Sequence, residues 1–421
     1  MSSLPFSDLS VREKLIAMKR ECQNLSCSEA LDRLLTVVSP VKTQCLEIAE
    51  ACGHVLAETV KTPRPFPDTR RSAVDGYALG SLAADDFALV DTLAAEDIPR
   101  SALSGNAAAA VMTGATVPAG AQTVVRVEDV LLKGHQVEPK VELVAGANIN
   151  GIGEEAEKGL PVLAAGERMN AVSHSVLCYL GVDQVQVFRR PRIGILITGN
   201  ELLRPGQQHR PGMVYECNSS LLRNMLNRMG IDVVVRGPVA DSPEVLSKVL
   251  DQLAWQNDLV VTSGGVSMGK FDYIRPLLKQ SGFELLVDRT KIKPGRPMLV
   301  ARRDQQLFFG MPGYPAAFLV NLFVYLVPVL RKLSGLRSIH PSYRTARLKT
   351  AVTGRTGRSD MIRVQLEQNG SVTEATPLES QLTSHFINMA DCNGLVVLDE
   401  DCAGLAAGTE VQVLDFAAVI G

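Results

Sequence analysis

The stretch Ser263-Gly264-Gly265-Val266-Ser267-Met268-Gly269-Lys270-Phe271-Asp272-Tyr273 collects residue types suited to an oxygen-rich anion. Gly264, Gly265 and Gly269 let the backbone approach a bulky ligand and take φ > 0, Ser263 and Ser267 add hydroxyl donors, and Asp272 offers a carboxylate to a cation. Before it, Asp258-Leu259-Val260-Val261-Thr262 is short, apolar and β-branched; after it, Tyr273 to Gln280 has helical spacing. The order is strand, glycine loop, helix, which aims backbone N–H groups at a ligand. A turn that merely ends a strand has the same composition, so the loop has to be weighed with its company.

Other stretches share that chemistry. Thr198-Gly199-Asn200-Glu201-Leu202 follows a strand read over Arg192–Ile197 and puts Glu201 at its carboxyl edge, where α/β enzymes carry working groups, although taken alone it reads first as a solvated loop glutamate. Asp241-Ser242-Pro243 reads first as a helix N-cap. In Arg289-Thr290-Lys291-Ile292-Lys293-Pro294-Gly295-Arg296-Pro297, strand alternation puts residues 289, 291 and 293 on one side, and a Pro294-Gly295 turn aims Arg296 back toward the strand ends. That clustering suggests an oxyanion receptor, with a charged edge strand as the plainer alternative. Met311-Pro312-Gly313-Tyr314-Pro315 leads from a strand into an apolar helix, and Pro312 and Pro315 stiffen the loop. Arg70 to Ala78 and Met112 to Ala115, which include Asp75 and Thr113, have no periodic explanation.

The elements that must hold these loops follow from periodicity. From Pro191 onward, strands at Arg192–Ile197 and Val233–Val235 alternate with helical faces carrying Leu221, Leu222, Met225, Leu226 and Met229, then Val245, Leu246, Val249, Leu250 and Leu253. Repeated βα units predict a parallel sheet covered by helices, with ligand loops at the carboxyl ends. The expected class is multidomain α/β with smaller β-rich domains. Its parts are a discontinuous helical or mixed domain over 1–61 and 160–186, a β-rich domain over 62–159, an α/β domain over 187–339 and a C-terminal β domain over 340–421. Expected details are a capping box at Ser26 to Glu29, helices over Leu46–Val60 and Met169–Leu180, a Lys133-Gly134 turn, and an Asn369-Gly370 hairpin between Met361–Leu366 and Val372–Thr376.

At 421 residues, 46% apolar and 21% charged, the chain has material for several packed units. A formal charge of −2 argues against a nucleic-acid partner held by a global basic field. Eight cysteines without a Cys-x-x-Cys pair suggest reduced thiols, mostly in the core, rather than zinc ligands or a disulfide framework. No signal-peptide pattern opens the chain, and the apolar run Ala316–Leu330, shorter than the ~20 residues that span a bilayer, reads as a buried helix. The expectation is a cytoplasmic protein without a membrane partner.

In order, Ser72–Ala78, Met112–Ala121, Thr198–Leu202, Ser263–Tyr273, Lys293–Pro297 and Met311–Pro315 resemble the motif series of the molybdopterin molybdenumtransferase family, the MoeA proteins and the E domain of gephyrin. Each motif is weak alone; the ordered set spans essentially the whole chain. The resemblance implies an elongated four-domain homodimer, in which the molybdopterin-binding α/β domain faces the second domain of the partner subunit. It implies the last step of molybdenum cofactor synthesis: Mg²⁺-dependent insertion of molybdate into adenylated molybdopterin with release of AMP. It also implies dealings with a molybdopterin adenylyltransferase and with molybdoenzyme acceptors. Matching positions are Asp75 and Thr113 from one subunit and Glu201, Asp241, Asp272, Arg289, Lys293 and Arg296 from the other. On this reading Asp75, Glu201, Asp241, Asp272 and Lys293 serve catalysis; Thr113, Ser263, Gly264, Gly265, Ser267, Gly269, Arg289, Arg296, Pro312 and Pro315 bind substrate; Asp241 and Asp272 hold Mg²⁺.

The chain departs from the family pattern at Asn200 for Asp, Lys270 for Glu, Arg289 and Arg296 for Lys, Tyr314 for Asn and Val74 for Met. At about 6 Å and an effective dielectric of about 20, one unit charge is worth roughly 3 kcal/mol before screening, enough to bias a site from metal toward anion. Two alternatives therefore stand beside the transferase: a non-catalytic molybdopterin-binding carrier or scaffold, and a related enzyme for another oxyanion such as tungstate.

Overall fold

Alternation along the strands decides the architecture. A computed structural model describes residues 22–266 and 273–420, which fall into two compact units. One comprises Thr59–Ala164 with Ser175–Val182; the other holds the rest of the described chain.

In the larger unit, seven strands form one sheet: β1 (Gln23–Leu25), β2 (Ile193–Thr198), β3 (Val233–Val239), β4 (Leu259–Ser263), β5 (Glu284–Thr290), β6 (Leu299–Arg303) and β7 (Gln306–Met311). Their order is β1-β5-β6-β7-β4-β2-β3. The helices are α1 (Cys27–Val37), α2 (Asn218–Arg228), α3 (Pro243–Gln256), α4 (Ile274–Gln280) and α5 (Pro315–Leu333), the last carrying a π-helical stretch at Leu322–Leu326. Both sheet faces are covered, so the strands read as near-continuous apolar runs. Ile193, Ile195 and Ile197 of β2 join Val261 and Phe309 in a core with α1, α2 and α5. Leu196, Val260 and Phe308 point the other way, onto Leu246, Leu250 and Leu253 of α3 and Ile274 and Leu278 of α4.

The sheet is mixed rather than all parallel. β6 runs antiparallel to both β5 and β7. The turn at Asp304-Gln305, with Asp304 at φ 53°, is far too short for a parallel crossover. β1 adds an unexpected parallel edge, Gln23 opposite Asp288. Beyond it the capping box forms as read: the Ser26 N–H donates to Glu29 Oε2 at 2.8 Å and the Glu29 N–H to Ser26 Oγ at 3.2 Å.

The expected helix over Leu46–Val60 is absent. Thr43–Glu47 and Val55–Leu56 are strands on either side of Gln184–Phe188, with only Ile48–Ala51 helical between them. Pairing across the sheet overrides the local helical pattern, and Gly53, at φ 83°, turns the chain back. The later helix starts at Ala171. α5 is the buried helix expected from the apolar run, extended at both ends and 89% buried along its most apolar window. The cysteines are less buried than expected: Cys22 is in the core, while Cys45, Cys52 and Cys178 are exposed.

The C-terminal strands close on themselves. Ser359–Asn369 pairs with both Val372–Pro377 and Gly394–Leu398; Tyr343–Leu348 and Glu410–Asp415 complete the ring. The Asn369-Gly370 hairpin forms as read, Asn369 opposite Val372 and Gly370 at φ 58°. Ile292–Lys293, just past β5, pairs in parallel with Ser359 and Asp360 and so ties this barrel to the α/β sheet.

The smaller unit is built on a six-stranded sheet in the order Val130–Lys133, Gln136–Pro139, Phe87–Leu93, Ala107–Val111, Gly76–Leu79, Thr123–Arg126. The Lys133-Gly134 turn joins the first two strands, with Lys133 opposite Gln136.

Candidate functional site

Because β2, β3, β4, β5 and β7 share one direction, their carboxyl ends lie along one edge of the sheet. The loops after Thr198, Val239, Ser263, Thr290 and Met311 therefore emerge together, at the edge where open α/β sheets bind ligands.

Hydrogen bonds lock neighbouring loops together. The Gly264 N–H donates to Met311 O at 3.1 Å. Asn218, the first residue of α2, donates from Nδ2 to Ser263 Oγ at 2.7 Å and to Gly313 O at 2.9 Å. The glycine loop and the Met311–Pro315 loop are thus held side by side. Pro312 is buried, and Pro315 opens α5. Gly264 and Gly265 adopt φ 89° and 71°, the left-handed conformation expected of them. Ser267, Gly269, Lys270 and Asp272 lie outside the described residues.

Across β2 and β3, the Thr198 hydroxyl donates to Asp241 Oδ1, and the Asp241 N–H donates to Asn200 Oδ1 at 3.3 Å. The Asp241-Ser242-Pro243 stretch does open α3, as read, although Asp241 itself is not the cap. Ser242 takes the N-cap position, and its hydroxyl donates to Glu244 Oε2 at 2.7 Å. Glu201 is exposed, with its carboxylate folded back beside Gly199.

The cationic run is not one strand. Arg289 has φ 65°, which breaks the alternation, and β5 ends at Thr290. The Thr290 N–H donates to Arg296 O at 3.1 Å, closing an excursion over Lys291–Gly295 in which Ile292–Lys293 is a short strand on the barrel. Each charge meets a different environment. Arg289 Nε lies 3.6 Å from Asp288, Lys291 pairs with Glu400 at 3.3 Å, and Arg296 donates to Asn24 Oδ1 at 3.1 Å. Lys293 is exposed and makes no ion pair among the described residues, so its ammonium is available to a ligand. Gly295 is required here: at φ 112°, a Cβ on it would fall 2.2 Å from Asn321 Oδ1. Asn321, fully buried in α5, donates to Gly295 O at 2.9 Å and pins the turn.

Asn218 and Asn321 are the residues missed by sequence reasoning. Asn321 carried a visible signal, a lone amide inside an apolar helix, which demands a partner. Asn218 carried none, since a polar residue opening a helix is ordinary.

Behind the loops, Asp288 is 2% exposed at its side chain and accepts from Arg275 at 2.5 and 2.9 Å and from Gln23 at 3.1 Å. Burial pushes its carboxyl up, but the Arg275 guanidinium outweighs that and leaves it below the usual carboxylate range.

In the smaller unit the two unexplained stretches interlock. The Gly114 N–H donates to Ser72 O at 2.8 Å, and the Ser72 N–H to Ala115 O at 2.9 Å. Asp75 Oδ1 accepts from the Thr113 N–H at 2.6 Å and from its hydroxyl at 2.8 Å. The backbone donor first, then the hydroxyl, holds the exposed Asp75 carboxyl below its usual value. Gly76 next to it permits close strand packing, since a Cβ would meet Val125 O at 2.1 Å. Asp75 and Thr113 are thus brought together, as are Ser263, Gly264, Gly265 and Pro312 in the other unit.

Among the described residues no cluster of three or more His, Cys, Asp or Glu side chains is placed to hold a metal. Asp241 Oδ2 has no side-chain or backbone donor among the described residues. One carboxylate of this kind, with phosphate oxygens of a bound nucleotide, suits Mg²⁺, which retains several waters. A groove of about 340 Å³ in the barrel, lined by Tyr343, Val397, Asp399 and Leu405, is separate from these loops.

Fold and site together define a multidomain α/β protein whose ligand loops gather at the carboxyl edge of a mixed sheet. Comparison with known proteins narrows this. The sequence matches the MoeA N-terminal region (domain I and II) over residues 25–181, the probable molybdopterin binding domain over 194–332 and the MoeA C-terminal region (domain IV) over 345–416. It is 32% identical to molybdopterin molybdenumtransferase 2 of Mycobacterium tuberculosis over 87% of this chain and 94% of that protein. To the molybdopterin molybdenumtransferase of Haemophilus influenzae it is 28% identical, over 94% and 100% of the two chains. The crystal structure of a molybdopterin biosynthesis MoeA protein from Pyrococcus horikosii superposes with a TM-score of 0.83 at 27% identity, covering 93% of this chain and 99% of that one. The chain belongs to the MoeA family.

Proposed function

We propose that the protein is a molybdopterin molybdenumtransferase that inserts molybdate into adenylated molybdopterin and releases AMP. Its length-wise homology to molybdopterin molybdenumtransferases supports the class. The observation that carries the reading is the junction of the glycine loop and the Met311–Pro315 loop through Asn218, at the sheet edge that also bears Lys293.

The substrate is a phosphoanhydride and the co-substrate a dianion, so the site must supply donors and positive charge. Ser263, the Gly264 and Gly265 backbone and Ser267 bind the pterin nucleotide; Lys293, Arg296 and Arg289 hold oxyanion charge. Thr198 orients Asp241 by its hydroxyl. Asp241 and Asp272 would hold Mg²⁺, which offsets anhydride charge when bound. Glu201, Asp75 and Thr113 position substrate, and Gly269, Pro312 and Pro315 shape the loops. The protein works as a homodimer, for which light scattering is expected to read twice the 45.4 kDa chain mass, in the cytoplasm, receiving substrate from a molybdopterin adenylyltransferase and passing product to molybdoenzymes.

AMP release from adenylated molybdopterin, with and without molybdate, tests the reading in wild type and Asp272→Asn. The transferase gives molybdate-dependent release that Asp272→Asn reduces by at least tenfold. Equal, negligible release in both proteins indicates a carrier, and release indifferent to molybdate but promoted by tungstate indicates the other oxyanion.

A further inference from the structure

Asn218 is 4% exposed, and both of its amide hydrogens are committed, one to Ser263 Oγ at 2.7 Å and one to Gly313 O at 2.9 Å. The Gly313 carbonyl only accepts, so the amide must present nitrogen on that side; the flipped amide would set two acceptor oxygens against each other. The same nitrogen faces Ser263, and that fixes the polarity of the serine. A hydroxyl carries one proton and two lone pairs. Asn218 fills a lone pair of Ser263, and among the described residues no acceptor takes the proton. Ser263 ends β4 directly before Gly264, which puts its hydroxyl at the start of the glycine loop.

We propose that Asn218 is a positioning residue that presets Ser263 as a donor to an anionic oxygen of the pterin nucleotide. It also holds the Gly264-Gly265 and Pro312-Gly313 turns in register. This rests on the function proposed above, which places the nucleotide at these loops. The effect is selective: a donor at this point favours a phosphoanhydride oxygen and disfavours a cation. Asn218 itself touches no ligand.

Asn218→Asp reverses the arrangement, because the carboxylate repels Gly313 O and draws the Ser263 proton to itself. The loss of a hydrogen bond to a charged oxygen weakens binding of adenylated molybdopterin by about tenfold to a hundredfold. At saturation kcat stays near wild type while KM rises. Ser263→Ala removes the same donor and gives a similar loss. In the Ser263→Ala background Asn218→Asp costs less than it does in wild type, because only the part acting through Gly313 O is left, whereas Lys293→Ala multiplies with either. Asn218→Ala, which brings no charge into the interior, gives a smaller loss and carries the test if the carboxylate variant does not fold. The inference is overturned if the Asn218 variants bind the nucleotide like wild type, or if their loss is undiminished without the Ser263 hydroxyl. A wild-type protein that does not bind the nucleotide sinks the functional reading as well, which distinguishes the two failures.

Discussion

Lys293 and Asp75 show how differently two charged side chains can be prepared for the same kind of ligand. Lys293 stands exposed without an ion pair among the described residues, while its neighbours Lys291 and Arg289 sit beside carboxylates. Removing it should cost one charge-assisted contact: Lys293→Ala is expected to weaken binding of the pterin nucleotide about tenfold to a hundredfold by calorimetry, with melting temperature unchanged. Lys293→Arg should restore part of the affinity, since the charge survives but its geometry changes. Asp75 is held by donors instead. Its folded pKa is lowered by the Thr113 N–H and then the Thr113 hydroxyl, so the carboxylate stays charged into more acid solution than a free aspartate. Thr113→Val removes only the second donor. The Asp75 carboxyl, followed by NMR titration, should move up toward its ordinary value without reaching it; a titration unchanged from wild type would mean that the hydroxyl contributes nothing.

At the scale of elements, what was legible in the sequence is what repeats. Periodicity located β2, β4, β7, α2 and α3, and turn chemistry located the Ser26–Glu29 box and the Asn369-Gly370 hairpin. What escaped depends on partners distant in sequence. The Leu46–Val60 segment became strands because Gln184–Phe188 lies against it, and the cationic run folded into a loop because Arg289 takes a positive φ that no pattern announces. The site was legible as motifs but not as bonds: Asn218 and Asn321, which tie its loops, join residues 45 and 26 positions away in sequence. The Arg275–Asp288 pair is of the same kind, joining α4 to β5 beneath the cationic loop. Arg275→Ala leaves a buried carboxylate with Gln23 and Arg289 as weaker company and should destabilise the α/β unit by about 3 kcal/mol, read from its melting transition. Because the folded pKa of Asp288 is depressed, the contribution is complete above the unfolded carboxylate value and lost as pH falls through the lower folded one. The gap in melting temperature between wild type and Asp288→Asn should therefore close in acid; a gap constant with pH would assign the effect to packing alone.

For the molecule as a whole, the larger unit makes its binding edge depend on a barrel that contributes few of the expected ligand contacts. Lys293 lies in a two-residue strand that pairs with Ser359–Asp360 of the barrel, and the Ser359 N–H donates to Lys291 O at 2.8 Å. The barrel is in turn organised around Arg363, which is fully buried and has no carboxylate partner among the described residues. Its guanidinium donates to Gln381 Oε1 at 3.2 Å, to Ser380 O at 3.2 Å and to Leu382 O at 3.3 Å, pinning the 380–382 segment inside. A buried charge is tolerated only while such acceptors surround it, and each acceptor would be orphaned by its loss. Arg363→Ala combines a cavity with those orphaned carbonyls and should destabilise the barrel by about 3–5 kcal/mol. The consequence should reach the ligand. With the barrel loosened, the Lys291–Lys293 pairing should open more often, hydrogen exchange at Ile292 and Lys293 should quicken, and affinity for the pterin nucleotide should fall although Arg363 is a barrel-core residue. Exchange limited to the barrel with unaltered affinity would show that the Lys293 loop is held by Gly295 and Asn321 alone.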